Sequence, residues 1–177
     1  VLHTGDFRYD RRRAMDEGWR TFVRNIETAY VDTTYSDAKF TFPPRETLCS
    51  EAAEMVKNTP PTTLVLVGTY TIGKEMVAET IARTCNLRIS VDEKKYQTLK
   101  LAGRDMSLYT DKETTRLRMV MLGYQTNPQQ LRYLLSQFNG RFKHVLVFHP
   151  TGWVAKTKKK EGLEVTTVEL PYSEHSN

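Results

Sequence analysis

The chain has 177 residues, 39% of them hydrophobic and 27% charged, with a net charge of +5. That length can bury a real core in one domain or two small ones, and no apolar run approaches the roughly 20 residues that a membrane-spanning helix needs. Cys49 and Cys85 are too few and too far apart for a disulfide framework or a zinc finger, which favours a reducing compartment. The mild positive charge favours a polyanionic partner without demanding one. The first residues lack the charged-then-apolar pattern of a signal peptide.

In chain order, Thr4-Gly5-Asp6-Phe7-Arg8 comes first, an Asp among small residues. Residues 27–31 read as a strand, so Asp32 falls where a strand leaves a sheet. A rigid strand end fixes the direction of a carboxylate, which is what a divalent-metal hydrolase uses. The basic tract 11–24 between them reads as a loop. Pro43-Pro44 is a hard break. Residues 45–57 then read as an amphipathic helix with Leu48, Ala52, Met55 and Val56 on one face. Pro60-Pro61 breaks the chain again, and 63–67 is an apolar run of the kind buried on both faces of a sheet. A helix is predicted from Gly73-Lys74 to about Thr84, a strand at 87–91, a short helix at 93–101 and a strand at 118–122. Asn127 caps a helix through Phe138 that begins at Pro128. Strands follow at 144–148 and 165–170. The alternation predicts an α/β protein with a largely parallel central sheet.

Two stretches suggest anion contacts. A strand, then Gly68-Thr69-Tyr70-Thr71-Ile72-Gly73-Lys74, then a helix is the layout of a phosphate-binding P-loop. Glu75 stands where the magnesium-holding hydroxyl belongs, and Val91-Asp92 is a weak downstream acidic strand, so nucleotide hydrolysis is the disfavoured alternative. The helix start, Lys74 and the hydroxyls of Thr69 and Thr71 still suit a phosphate. The lysine-rich stretch 155–162 reads as solvated surface, with contact to a DNA backbone as the other possibility.

Five motifs in order carry a resemblance: Thr-Gly-Asp-Phe-Arg at 4–8, Asp-Thr-Thr-Tyr at 32–35, Gly-Thr-Tyr-Thr-Ile-Gly-Lys-Glu at 68–75, Pro-Thr-Gly-Trp at 150–153 and Pro-Tyr-Ser-Glu-His-Ser at 171–176. Together they resemble the DNA cross-link repair nucleases of the SNM/PSO type, in the β-CASP branch of the metallo-β-lactamase superfamily. The resemblance implies part of an αββα metallo-β-lactamase domain at 1–42 and 153–177, with an inserted α/β β-CASP domain at 43–152. It implies a metal-dependent DNA nuclease, a 5′-to-3′ exonuclease of interstrand cross-link repair in the nucleus, that attacks the phosphodiester with a metal-activated water. Asp6 is the implied ligand of one or two zinc ions. Asp32 and His175 are an implied hydrogen-bonded catalytic pair, with His175 donating a proton to the leaving oxygen. Tyr35, Thr69, Thr71, Lys74, Ser173 and Ser176 are the implied contacts to DNA and its phosphates. The expected partner is DNA, single-stranded or with free 5′-phosphate ends, and no membrane.

Two departures matter. The family's His-x-His-x-Asp-His motif is absent from these residues, and so is a further ligand His upstream of Thr-Gly-Asp-Phe. His3 stands too close to Asp6 for that role and reads as a strand residue. The chain therefore reads as an internal piece of a larger enzyme, with most metal ligands outside it. A non-catalytic DNA-binding β-CASP paralogue is the alternative, and the upstream sequence discriminates between the two.

Overall fold

Pro43-Pro44, two rings with fixed φ and no N–H to donate, lie where the chain passes from one compact unit to another. The computed structural model describes residues 1–7, 14–37, 39–111, 115–123, 128–152, 159–160 and 165–173. One unit comprises Val1–Phe42 with Ser173–Asn177, the other Pro43–Tyr172.

In the smaller unit, β1 (Leu2–His3) and β2 (Ala29–Tyr30) pair in parallel, with Leu2 opposite Ala29 and His3 opposite Tyr30. Between them runs α1 (Glu17–Val23), within the tract expected to be a loop. Its start is set by Asp16, whose carboxylate accepts the Trp19 N–H at 2.8 Å. Tyr35 is buried and meets Phe40 and Phe42 edge-on, with ring centroids 5.0 and 4.9 Å away.

The larger unit is built on a seven-stranded sheet. Its elements are α2 (Arg45–Lys57), β3 (Thr63–Thr69), α3 (Glu75–Cys85), β4 (Ile89–Ser90), α4 (Glu93–Leu101), β5 (Tyr109–Thr110), β6 (Leu117–Met121), α5 (Pro128–Ser136), β7 (His144–Thr151), β8 (Lys159–Lys160) and β9 (Val165–Pro171). The strand order is β5-β4-β6-β3-β7-β9-β8, parallel throughout except for the antiparallel edge pair β8–β9. The chain is thus an α/β protein. β3 lies at the centre with all seven residues buried. Its alternate side chains feed two cores: Val65 and Val67 pack with α2 and α3, while Leu64 and Leu66 pack with Leu131 and Leu134 of α5.

Several expectations shift. On α2 the buried face is Leu48, Cys49, Ala52, Ala53 and Val56, whereas Met55 is exposed. The buried stripe centres on Cys49, Ala52 and Val56, and Met55 falls just outside its Leu48 edge. The stretch 153–177 was expected to return to the first domain. Within that stretch β9 pairs along its whole length with β7, from Val145–Val165 to Thr151–Pro171, and the larger compact unit runs to Tyr172. The alternation read at 165–170 identifies a strand but not the sheet that receives it. Asn127 and most of the lysine-rich stretch lie outside the described residues.

Candidate functional site

Parallel pairing of β1 and β2 sends both following loops out at the same end. Thr4 donates its N–H to Tyr30 O at 3.0 Å, and Asp32 returns its own N–H to the Thr4 hydroxyl at 3.2 Å. Gly5, at φ +58, turns the chain in a conformation that side chains with a Cβ resist. The next residue, Asp6, is exposed, with no partner among the described residues. The Asp32 carboxylate is the hub of the arrangement. One oxygen accepts the Phe7 N–H at 3.1 Å; the other accepts the N–H and hydroxyl of Thr34 at 2.9 and 2.6 Å. Asp32 therefore holds the loop that presents Asp6. His3 lies in β1, stacks on Tyr30 and accepts the Gly5 N–H at 3.3 Å. Its role is to brace the turn.

Asp32 and Asp6 thus come together. His175 and Ser176 lie outside the described residues, so the expected Asp32–His175 pair does too. Ser173 is buried. Tyr35, expected at DNA, is one of the packed rings described above. Among the described residues no three His, Cys, Asp or Glu side chains converge on a point where they could hold a metal ion. Asp6 alone does not make a site of three or four protein ligands.

The Gly68–Lys74 segment has the strand-turn-helix form that the sequence suggests, but its anion position is filled from within. Glu75, the first residue of α3, folds its carboxylate back to accept the Gly73 N–H at 2.8 and 3.0 Å. Lys95, from α4, meets the same carboxylate at 2.7 Å and donates to the carbonyls of Tyr70 and Thr71 at 2.8 and 2.9 Å. Lys74 adopts φ +68 and is buried. Its ammonium donates to Pro150 O at the end of β7 and lies 4.4 Å from the centroid of the Tyr70 ring. Thr69 is buried and Thr71 exposed. Lys95 carried no sequence signal, since nothing in the spacing of residues 75 and 95 announces a pair. The glutamate in place of a hydroxyl was the one hint that this turn needed a cation of its own.

At the same end of the sheet, His149 of β7 and Glu169 of β9 are register partners, with Nδ1 and Oε2 2.8 Å apart. The approach is close, yet neither atom makes an aligned hydrogen bond. The contact is therefore electrostatic and attractive when the imidazole is protonated. β3 and β6 are neighbours whose following helices, α3 and α5, pack on opposite faces of the sheet. Such a reversal opens a crevice beyond the strands' carboxyl ends. A cleft of about 90 Å³ lies there, between Thr69–Thr71, Met119–Met121 and the start of α4.

Residues 104–177 match the family of DNA repair metallo-beta-lactamases. The chain is 36% identical to the DNA cross-link repair 1A protein of Gallus gallus, a match covering 100% of this chain and 19% of the relative. It is 35% identical to the DNA cross-link repair protein pso2/snm1 of Schizosaccharomyces pombe, over 86% of this chain and 28% of the relative. The 5' exonuclease Apollo of Rattus norvegicus is more distant, 23% identical over 100% of this chain and 30% of the relative. The chain spans less than a third of each of these three proteins. It resembles the cross-link repair proteins of the SNM/PSO type.

Proposed function

We propose that this chain is a portion of a metal-dependent DNA nuclease of interstrand cross-link repair that works in the nucleus on DNA with free 5′-phosphate ends. In this reading the smaller unit belongs to a metallo-β-lactamase domain and the larger unit is its β-CASP insertion. The observation that carries the reading is the Asp32 carboxylate bound to the Phe7 N–H at 3.1 Å, which fixes the loop of Asp6 beside a second acidic strand end. The names of the relatives support the substrate class.

A divalent metal such as zinc supplies, when bound, a nucleophilic water near neutral pH and charge stabilisation at the phosphoryl oxygens. The chain's own residues do the rest. Asp6 presents an exposed carboxylate as one ligand, and the remaining ligands come from outside the described residues. Asp32 fixes the position of Asp6 and is the partner assigned to His175, which holds the proton for the leaving oxygen. The test uses the full-length protein and a 5′-phosphorylated DNA strand. Asp6→Asn lowers cleavage by about a hundredfold or more, while DNA affinity and melting temperature stay near wild type. Wild-type turnover in Asp6→Asn reduces Asp6 to a turn residue and removes the proposal.

A further inference from the structure

The larger unit presents an aromatic ring that is exposed and yet held at several points. Tyr70 is 48% exposed at the carboxyl end of β3. Its carbonyl takes the Lys95 ammonium, and its ring lies against the Lys74 ammonium. Buried Lys74 and half-buried Lys95, the latter paired with buried Glu75, thus fix one residue whose side chain faces solvent. Core packing does not require this arrangement, since the ring contributes little to the core. The neighbouring wall is also apolar and open: Met121, the register partner of Thr69, is 59% exposed and lines the same cleft. Charge at the rim is mixed: its acidic member, Asp92, is exposed but has one carboxylate oxygen engaged in capping a helix. Asp92 accepts the Lys95 N–H at 2.8 Å as the cap of α4, and Lys94 is exposed beside it.

A flat ring, a thioether wall and an exposed ammonium beside a small cleft match the chemistry of a nucleotide in a single strand, with a π-face to stack and a phosphate to pair. From these contacts we infer that the cleft at the ends of β3 and β6 holds one unpaired nucleotide of the DNA strand. Its base stacks on Tyr70 against Met121, and its phosphate faces Lys94. The contact reads no sequence, because every base offers a π-face. It requires an unpaired strand, because a base inside a duplex has no open face for the ring. The inference rests on DNA being the partner and adds which part of the DNA the larger unit grips.

The experiment compares the full-length protein binding a short labelled oligothymidine and a blunt duplex of equal length, by fluorescence anisotropy at fixed salt. Tyr70→Ala weakens the oligothymidine by about tenfold and leaves the duplex unchanged, whereas Tyr70→Phe, which keeps the ring, binds both as wild type. Met121→Ala weakens the oligothymidine several-fold, and Lys94→Ala lowers the salt slope by about one on that probe alone. Equal binding of oligothymidine by Tyr70→Ala and wild type overturns the inference. So does an equal loss on both probes, which marks a folding effect, or a loss in Tyr70→Phe as large as in Tyr70→Ala. A wild-type protein that binds neither probe removes the DNA reading itself, whereas one that binds both and ignores Tyr70 removes only the cleft.

Discussion

Removing the Glu75 carboxylate tests whether the turn before α3 is locked from within. Glu75 and Lys95 are 9% and 11% exposed and meet at 2.7 Å. Breaking a buried pair by deleting one partner costs about 3–5 kcal/mol, because the other charge stays buried without compensation. Here Lys95 keeps two carbonyl acceptors, at 2.8 and 2.9 Å. The loss from Glu75→Ala therefore falls at the low end, about 3 kcal/mol, or roughly 10 °C in melting temperature. Lys95→Ala strands the carboxylate instead, which keeps only the Gly73 N–H. In the double variant no charge is stranded, so its cost is less than the sum of the single costs by about 1–3 kcal/mol. Urea unfolding of the four proteins, followed by far-ultraviolet circular dichroism, measures the cycle. Strict additivity refutes the reasoning, as does a Glu75→Ala protein within about 0.5 kcal/mol of wild type, the range of ordinary surface changes.

Two further predictions concern buried groups. Burial pushes the Tyr109 phenol above its ordinary value; the hydrogen bond and charge of Glu79 add to this and Arg104 opposes it. The folded state then keeps a proton that the unfolded chain loses near the usual tyrosine value of about 10, so stability falls as pH rises past that point. Urea midpoints measured from roughly pH 8 to pH 11 should show a shallower decline in Tyr109→Phe, and an unchanged slope refutes the assignment. Burial also pushes the Cys49 thiol up to about 11. Iodoacetamide at mildly alkaline pH should leave Cys49 unlabelled until urea unfolds the chain, and rapid native labelling contradicts its place in the core.

Local chemistry made much of the fold legible. α2 and α4 have the limits that prolines and caps set, Arg45–Lys57 and Glu93–Leu101. The apolar run at 63–67 announced the central strand. The exceptions have physical causes. Asp16 caps α1, but the three arginines at 11–13 make the tract look like a basic loop. β5 and β8 are two residues long, too short for any period. Met55 looks like core because it is apolar and next to Val56, but small Cys49 and Ala53 form the face that packs on α3. At the candidate site, the strand ends of Asp6 and Asp32 were visible because β-favouring residues precede an acid. That the two ends adjoin depends on β1 and β2 pairing in parallel across α1, a long-range fact that no local pattern encodes.

The Gly68–Lys74 turn shows what a motif of glycines and a lysine does and does not specify. Glycine and a residue at φ +68 specify a tight passage from strand to helix. They do not specify the anion. Backbone N–H groups at such a turn attract whatever negative charge is nearest, and residue 75 supplies it. With a hydroxyl at that position the N–H groups would face outward for a phosphate. With a carboxylate the ligand is covalently attached, its effective concentration is high, and an outside phosphate must displace it and also meet its charge. Lys74, at the same turn, reaches Pro150 O and the ring of Tyr70. Lys95 neutralises the carboxylate at the cost of reaching from another helix. The same backbone that would cradle a nucleotide's phosphates thus becomes a rigid mount, and what it presents to solvent is the ring of Tyr70.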